Sequence, residues 1–422
     1  MFKFIHAADI HLDSPLKGLA KYEGAPVDEI RGATRGALQN LVHTALDEEV
    51  DFVLISGDVY DGDWKDHNTG LYFARQMARL KGAQIPVYLI AGNHDAQSVM
   101  SKSLQLPDNV FRFPTKKATT VHREDLGVAI HGQGFPTRAV TKDLSAGYPA
   151  PVAGAYNIGL LHTSLTGYEG HDNYAPCTVA GLTRLGYDYW ALGHIHQQEC
   201  IHDQDPVIWF PGNIQGRHIR EAGPKGCLVV SVDERGDHEV RFEALDVLRW
   251  ATIELDVSDC ADLLACVACL QVPLEKLLER IEDRLLAIRI VFTGETAAHD
   301  GLVARTVQLQ NELRNSANIH GGDQVWVEKV SVRTTSPAGN PSAESDDGPL
   351  AMVNAVVASL QADPEARAQL DALLEPLRSK LPAELVAGDG ESTFGDDASL
   401  LALLENAEPI IRQAWRDQEA GQ

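Results

Sequence analysis

The stretch Ile85-Pro86-Val87-Tyr88-Leu89-Ile90-Ala91-Gly92-Asn93-His94-Asp95 constrains this chain more than any other. A short apolar run bounded by Pro86 and Gly92 reads as a buried strand, covered on both faces as parallel strands are. At its end the chain turns on Gly92 and presents an amide, an imidazole and a carboxylate in succession. In open α/β sheets, ligands sit at the carboxyl ends of strands. Gly-Asn-His-Asp is equally acceptable as a polar turn, so the other strand ends must decide.

Phe2 to Ala8 reads as a first strand and ends on Asp9-Ile10-His11. Residues 28–48 carry Ile30, Ala33, Ala37, Leu38, Leu41, Ala45 and Leu46 at a helical period. Asp51 to Ser56 is a second strand, ending on Gly57-Asp58-Val59-Tyr60-Asp61, and a helix over about 67–81 leads to the strand before Gly92. This alternation predicts parallel strands with helical crossovers. Independent turns would not choose ligand chemistry three times running. From about 109 the strands shorten: 128–131, then 157–162 ending on His162, then Tyr189 to Leu192 opening onto Gly193-His194-Ile195-His196. A helix near 178–186 and strands near 207–211, 226–233 and 238–245 complete the unit. The expectation is an α/β fold of two packed sheets flanked by helices over residues 1–248.

Residues 249–335 read as a small α/β domain, with strands at 250–257, 285–293 and 325–334 and helices near 262–281 and 297–315. Residues 336–349 have linker composition, rich in Ser, Pro, Gly and acids. Residues 350–422 suggest an acidic helical tail, with Val353, Val356, Val357 and Leu360, then Leu370, Leu373, Leu374 and Leu377. Leu400, Leu401, Leu403, Leu404, Ile410, Ile411 and Trp415 follow beyond an acidic break at Gly388 to Asp397. Asp9 interrupts any signal-peptide apolar region, and no run approaches the ~20 apolar residues of a membrane span. Six scattered cysteines argue against a disulfide framework, so a cytoplasmic protein without membrane partners is expected. The net charge of −24 weighs against tight unaided binding to a phosphate backbone. It is uneven, since residues 336–422 hold 16 acids against 5 bases, and bound cations would offset some of the other acids.

Together the strand ends offer Asp9, His11, Asp58, Asn93, His162, His194 and His196. Oxygen and imidazole ligands without cysteine suit Mn, Fe, Zn or Mg. A pair of ions about 3.5–4 Å apart needs a bridging carboxylate, for which Asp58 is the natural choice. Asp9, His11 and His196 then complete one position, and Asn93, His162 and His194 the other. His194 and His196 would share a face in a strand but can diverge on a loop.

Asp-x-His, Gly-Asp-x-x-Asp, Gly-Asn-His-Asp, a lone His and Gly-His-x-His, in this order, resemble the calcineurin-like metallophosphoesterases over residues 1–245. The small domain and tail resemble the SbcD-type DNA-repair exonuclease subunit. Leu161 to Leu165, Tyr174 to Cys177 and Pro211 to His218 are closer still to the YhaO-like branch, although their chemistry is not evident from sequence. The resemblance implies two divalent ions, Mn²⁺ foremost, with Mg²⁺, Fe²⁺ or Zn²⁺ as alternatives. It also implies hydrolysis of phosphodiesters, with His94 protonating the leaving oxygen or neutralising developing charge. DNA as substrate, an SbcC-like or YhaN-like ATPase bound through the tail, and a possible homodimer follow from the same resemblance. Gly62 and Asp95 stand where protein phosphatases of the superfamily carry Arg and Glu, which counts against a phosphomonoesterase. The roles of Asp61 and Asp95 stay open, Asp95 either orienting His94 or capping the turn.

Other histidines read more plainly. His6 is expected as a satisfied core residue, while His131, His171 and His218 are candidates for the cleft. Cys266 and Cys269 have a metal-like spacing without a partner pair, which favours helix packing. Two other functions remain open: a small-nucleotide phosphodiesterase with the same site, and a scaffold with vestigial catalysis. A nuclease should direct basic residues of the small domain toward the cleft, with Arg280, Arg284, Arg289, Arg305, Arg314, Lys329 and Arg333 available.

Overall fold

The computed structural model describes residues 1–14, 16, 27–61, 67–97, 104–165, 174–281, 284–337, 349–378 and 380, with scattered positions beyond 400. Two compact units result, Met1–Ala251 with Ile281–Ala287, and Thr252–Arg280 with Ile288–Gln422. The first unit runs β1 (Phe2–Ala7), α1 (Val27–Asp47), β2 (Phe52–Ile55), α2 (His67–Gly82), β3 (Val87–Leu89) and a single-turn α3 (Asn93–Gln97). It continues through β4 (Val110–Arg112), β5 (Thr119–Arg123), β6 (Val128–Gly132), β7 (Tyr156–His162), α4 (Val179–Arg184) and β8 (Tyr189–Gly193). β9 (Glu199–His202), β10 (Val207–Phe210), β11 (Gly226–Val232) and β12 (His238–Ala244) follow.

One six-stranded sheet has the order β12-β11-β1-β2-β3-β4, the other β5-β6-β7-β8-β10-β9. β1 to β4 are mutually parallel, as the α1 and α2 crossovers require, and β6, β7, β8 and β10 form the parallel core of the second sheet. Alternation along each strand supplies two apolar layers per sheet. Phe4, Phe52, Leu54 and Tyr88 of the first sheet pack with Ile130, Ile158, Leu160 and Tyr189 of the second. The opposite face of the first sheet, with Ile5, Val53, Ile55 and Val87, packs under Leu38 and Leu41 of α1 and Phe73 and Met77 of α2. Burying each such side chain stabilises by about 1.5–3 kcal/mol, which fixes the two sheets as one sandwich. Polar stitches cross the same layer: His6 reaches the Leu192 carbonyl and Tyr189 Oη, and Ser56 Oγ donates to the Ala191 carbonyl. His6 is thus the satisfied core residue expected.

Beyond the sandwich, β13 (Leu248–Asp256), β14 (Leu285–Glu295) and β15 (Val325–Thr335) form a three-stranded sheet in that order. Between them lie α5 (Leu263–Ala268), α6 (Gln271–Leu278), α7 (His299–Ala304) and α8 (Thr306–Gly321). The expected single helix at 262–281 is therefore two. Asp262 caps its start through Ala265 N, but the Cys269 and Leu270 amides bond three residues back, and that tighter turn ends α5. Finally, α9 (Pro349–Ala362) and α10 (Pro364–Arg378) pack against each other. Val357 is buried, while Val356 and Leu373 are exposed. Gly62, His171, the linker at 338–348, the break at 388–397, Leu400 and Leu403 lie outside the described residues. Among the described residues, no helix is long and apolar enough to cross a membrane.

Candidate metal centre

All seven sequence candidates gather at the carboxyl ends of β1, β2, β3, β7 and β8. The loops after β1 and β2 are laced together, Asp9 N donating to the Gly57 carbonyl and His11 N to the Asp58 carbonyl, each at 3.0 Å. Asp9 (φ 51°), His11 (φ 44°), Asp58 (φ 51°) and His194 (φ 104°) all occupy the left-handed region. Non-glycine residues seldom do so, at a cost of about 1–3 kcal/mol each, and such strain concentrates at functional sites. Two glycines are required by close approach. A Cβ on Gly57 would lie 2.5 Å from His162 Nδ1, and one on Gly92 would strike the Asp58 carboxylate.

The side chains form two main groups, Asp9 with His11 and His196, and Asp58 with His162 and His194, the ligand atoms of each lying within 4.8 Å of one another. A third group unites Asp58 with His11 and His94, so the Asp58 carboxylate reaches both sides. Asn93 Oδ1 lies 2.9 Å from His162 Nε2, joining the second group. His194 and His196 diverge to different groups, the loop geometry at φ 104° providing the turn.

Further groups hold these rings. His162 Nδ1 lies 2.9 Å from the Ser56 carbonyl, and His196 Nδ1 lies 2.7 Å from Glu221 Oε1. Metal-binding imidazoles commonly donate their second N–H in this way, which turns the Nε2 lone pair inward. His11 and His196 bring their Nε2 atoms to 3.2 Å. Asp9 uses Oδ2 to accept from His194 N, whereas its Oδ1 is buried without a hydrogen bond among the described residues. Buried polar atoms normally have partners. A converging set of imidazole, carboxylate and amide donors with an orphaned carboxylate oxygen fits a pair of divalent cations. Burial and the nearby Arg217 charge lower the His11 pKa to about 3, which keeps that ring in its neutral, ligand form.

His94 is half-buried, and its Nδ1 lies 3.0 Å from Asp61 Oδ1. Burial alone would lower its pKa, but the Asp61 hydrogen bond and the charges of Asp58 and Asp61 outweigh that, and the net direction is up. Asp61 in turn is held far below the usual carboxylate range by the His11 ring, whose Nδ1 is 3.6 Å away, and by its closer contact with His94. Asp61 is therefore the residue that orients His94. Asp95 caps the turn instead, accepting from Val59 N, Tyr60 N and Gly92 N at 3.0–3.2 Å.

Sequence reasoning missed Glu221, which accepts from the His196 ring, Asn213 Nδ2 and Arg217 N. Its only sequence signal was a carboxylate three residues beyond Arg217-His218. His218 is beside it, with Nε2 3.6 Å from Glu221 Oε1. His131 is not a cleft residue. It sits in β6, bonded to Thr120 Oγ1 and Asn157 Oδ1 and stacked on Tyr187. Cys260 comes to 3.5 Å from Cys269, and all six cysteines are free thiols.

Fold and site together define a class. Residues 2–198 match the calcineurin-like phosphoesterase family, and residues 250–335 match the family described as metallophosphoesterase YhaO, middle domain. The chain belongs to the calcineurin-like metallophosphoesterases, a family of phosphoester hydrolases whose fold implies two divalent metals. Within that class it is similar to the uncharacterized metallophosphoesterase YhaO of Bacillus subtilis (strain 168), 33% identical over 294 residues that span 69% of this chain and 71% of that protein. Among solved structures it is similar to TT1561 of Thermus thermophilus, with 13% identity and a TM-score of 0.33 over 58% of this chain and 99% of that one. A dimetal phosphatase from Danio rerio has 12% identity and a TM-score of 0.36 over 57% of this chain and 98% of that one.

Proposed function

We propose that this metallophosphoesterase is a phosphodiesterase, and that its substrate is DNA. The observation that carries the reading is the Asp58 carboxylate shared between two ligand groups, with His94 held beside it by Asp61. Two divalent ions bound there, Mn²⁺ foremost, would supply an activated water and charge stabilisation for phosphoryl oxygens. Asp9, His11 and His196 would hold one of them, Asn93, His162 and His194 the other, and Asp58 would serve both. Asp61 fixes the His94 ring and favours its protonated form, so His94 delivers a proton to the departing ester oxygen. Glu221 keeps His196 in the tautomer whose Nε2 faces the site. In this reading the chain works as a DNA exonuclease subunit in repair, with an SMC-type ATPase captured by residues 350–422.

A small-nucleotide phosphodiesterase is the second reading. It draws on the net charge of −24 and on two of the expected bases being already committed, Arg289 to Glu328 and Arg284 to Asp246. The deciding experiment is hydrolysis of single- and double-stranded DNA with Mn²⁺ or Mg²⁺, beside a cyclic dinucleotide. DNA cleavage lost on chelation is expected. Turnover of the cyclic dinucleotide alone would overturn the nuclease reading. Co-purification of an ATPase with the full chain, absent without residues 350–422, tests the tail.

A further inference from the structure

We propose that Arg217 contacts the substrate, carrying a non-bridging oxygen of the phosphoryl group while Glu221 and Asp61 anchor its guanidinium. The inference rests on the phosphodiesterase reading above and assigns chemistry to the 211–218 segment, which sequence left without any. That segment is built rigidly. Gln215 Oε1 accepts from Val247 N at 2.9 Å and Gln215 Nε2 donates to the Leu248 carbonyl at 2.6 Å. Trp250 Nε1 donates to the Gly216 carbonyl at 2.9 Å, and Arg217 N donates to Glu221 Oε2 at 2.7 Å. The backbone of Arg217 is thus fixed before any ligand arrives, which is how a preorganised donor is made.

The guanidinium itself is under-used. Its Nη2 donates to Glu221 Oε1 at 3.2 Å, its Nη1 is 3.9 Å from Asp61 Oδ2, and its Nε is buried with no hydrogen-bond partner among the described residues. Nη2 also lies 3.3 Å from His196 Nδ1, the atom that faces Glu221. Arginines with a purely structural role in this chain look different. Arg35 grips Asp13 with two bonds of 2.6 Å, Arg249 grips Asp246 with two of 2.8 Å, and Arg289 grips Glu328 with two of 3.0 Å. An arginine side chain only 14% exposed that leaves most of its five donors uncommitted costs stability, unless another acceptor takes them.

Position and charge indicate that acceptor. Arg217 lies between the carboxylate that orients His94 and the carboxylate behind His196. The charges of two divalent ions would be balanced by Asp9, Asp58, Asp61 and Glu221. Protonated His94 and Arg217 are then additional positive charges, which an entering phosphodiester anion complements. Planar guanidinium donors match phosphoryl oxygens, and an ammonium in the same place does not reproduce the fork.

The test uses the full Mn²⁺-loaded chain, bis(p-nitrophenyl) phosphate as substrate and orthophosphate as competing ligand. Arg217→Gln is expected to keep both metals and its thermal midpoint while kcat/KM falls by about 10²–10³-fold. The orthophosphate inhibition constant should rise about tenfold or more, and Arg217→Lys should recover only part of either loss. Orthophosphate binding measured by calorimetry gives the same readout without turnover. A wild-type chain that hydrolyses no phosphodiester yet loses orthophosphate binding in Arg217→Gln would overturn the proposed function and leave Arg217 as an anion contact. Metal-loaded variants with kcat/KM and orthophosphate affinity within threefold of wild type would overturn the Arg217 proposal. So would loss of metal in both variants, which would make Arg217 part of the scaffold for the ligands.

Discussion

Replacing His6 with glutamine removes one proton-binding group from the layer between the sheets, and the effect should depend on pH in a calculable way. His6 is fully buried, with Nε2 2.9 Å from the Leu192 carbonyl and Nδ1 3.0 Å from Tyr189 Oη. Burial pulls its pKa down from 6.5 to about 3, the Leu192 carbonyl opposing this only in part. Between those values the unfolded chain takes up a proton that the folded chain refuses. The stability contributed by the neutral ring is therefore complete above pH 6.5 and is lost progressively as pH falls toward 3. At pH 5 the proton-bound unfolded state gains about 2 kcal/mol, against almost nothing at pH 7.5. His6→Gln should be less stable than wild type at pH 7.5 by about 1–3 kcal/mol, through disrupted buried hydrogen bonds. Urea unfolding at both pH values reads the difference, which should shrink by about 2 kcal/mol at pH 5 because only wild type loses the linked term. Parallel pH profiles for the two proteins would refute the reasoning, and would mean that His6 titrates alike in both states.

Asp58→Asn keeps the shape of the shared ligand but removes its charge; elemental analysis should show fewer than two ions per chain, and undiminished loading would displace Asp58 from the bridge. His94→Ala should retain both ions and cleave DNA about 10²–10⁴-fold more slowly, while hydrolysing an activated p-nitrophenyl diester far less impaired. Equal losses on the two substrates would leave His94 an electrostatic role only. Gly92→Ala should displace the Asp58 carboxylate that its Cβ would strike, costing about 1–3 kcal/mol and metal occupancy together. Gly32→Ala is the control, because its Cβ in α1 meets nothing within 4 Å among the described residues, and it should raise stability by about 0.5–1 kcal/mol.

Strand ends were legible because ligand chemistry there contrasts with the apolar runs that precede it, as at Ile55 before Gly57-Asp58 or Leu161 before His162. Spacing could not show that Asp61 rather than Asp95 orients His94, since Asp95 adjoins His94 in sequence whereas Asp61 reaches it only through the fold. The turn decides it by aiming Asp95 at three backbone amides. Glu221 was missed for a related reason: its contact with His196 spans 25 residues and forms only when the 211–221 segment folds back. The break in the helix expected over 262–281 was in fact announced by Pro273, which has no amide to give the Cys269 carbonyl and therefore starts a new helix in its first turn rather than continuing the old one.

The site draws Asp9, His11, Asp58 and Asn93 from the first sheet and His162, His194 and His196 from the second. Ions held in the proposed way would therefore act as rivets through the sandwich, and parting the sheets would require releasing them. The melting temperature should then track free metal concentration, each ion contributing about 2.7 kcal/mol at a hundredfold excess over its dissociation constant. A cell that withdraws metal would, on this account, loosen the fold along with silencing the chemistry.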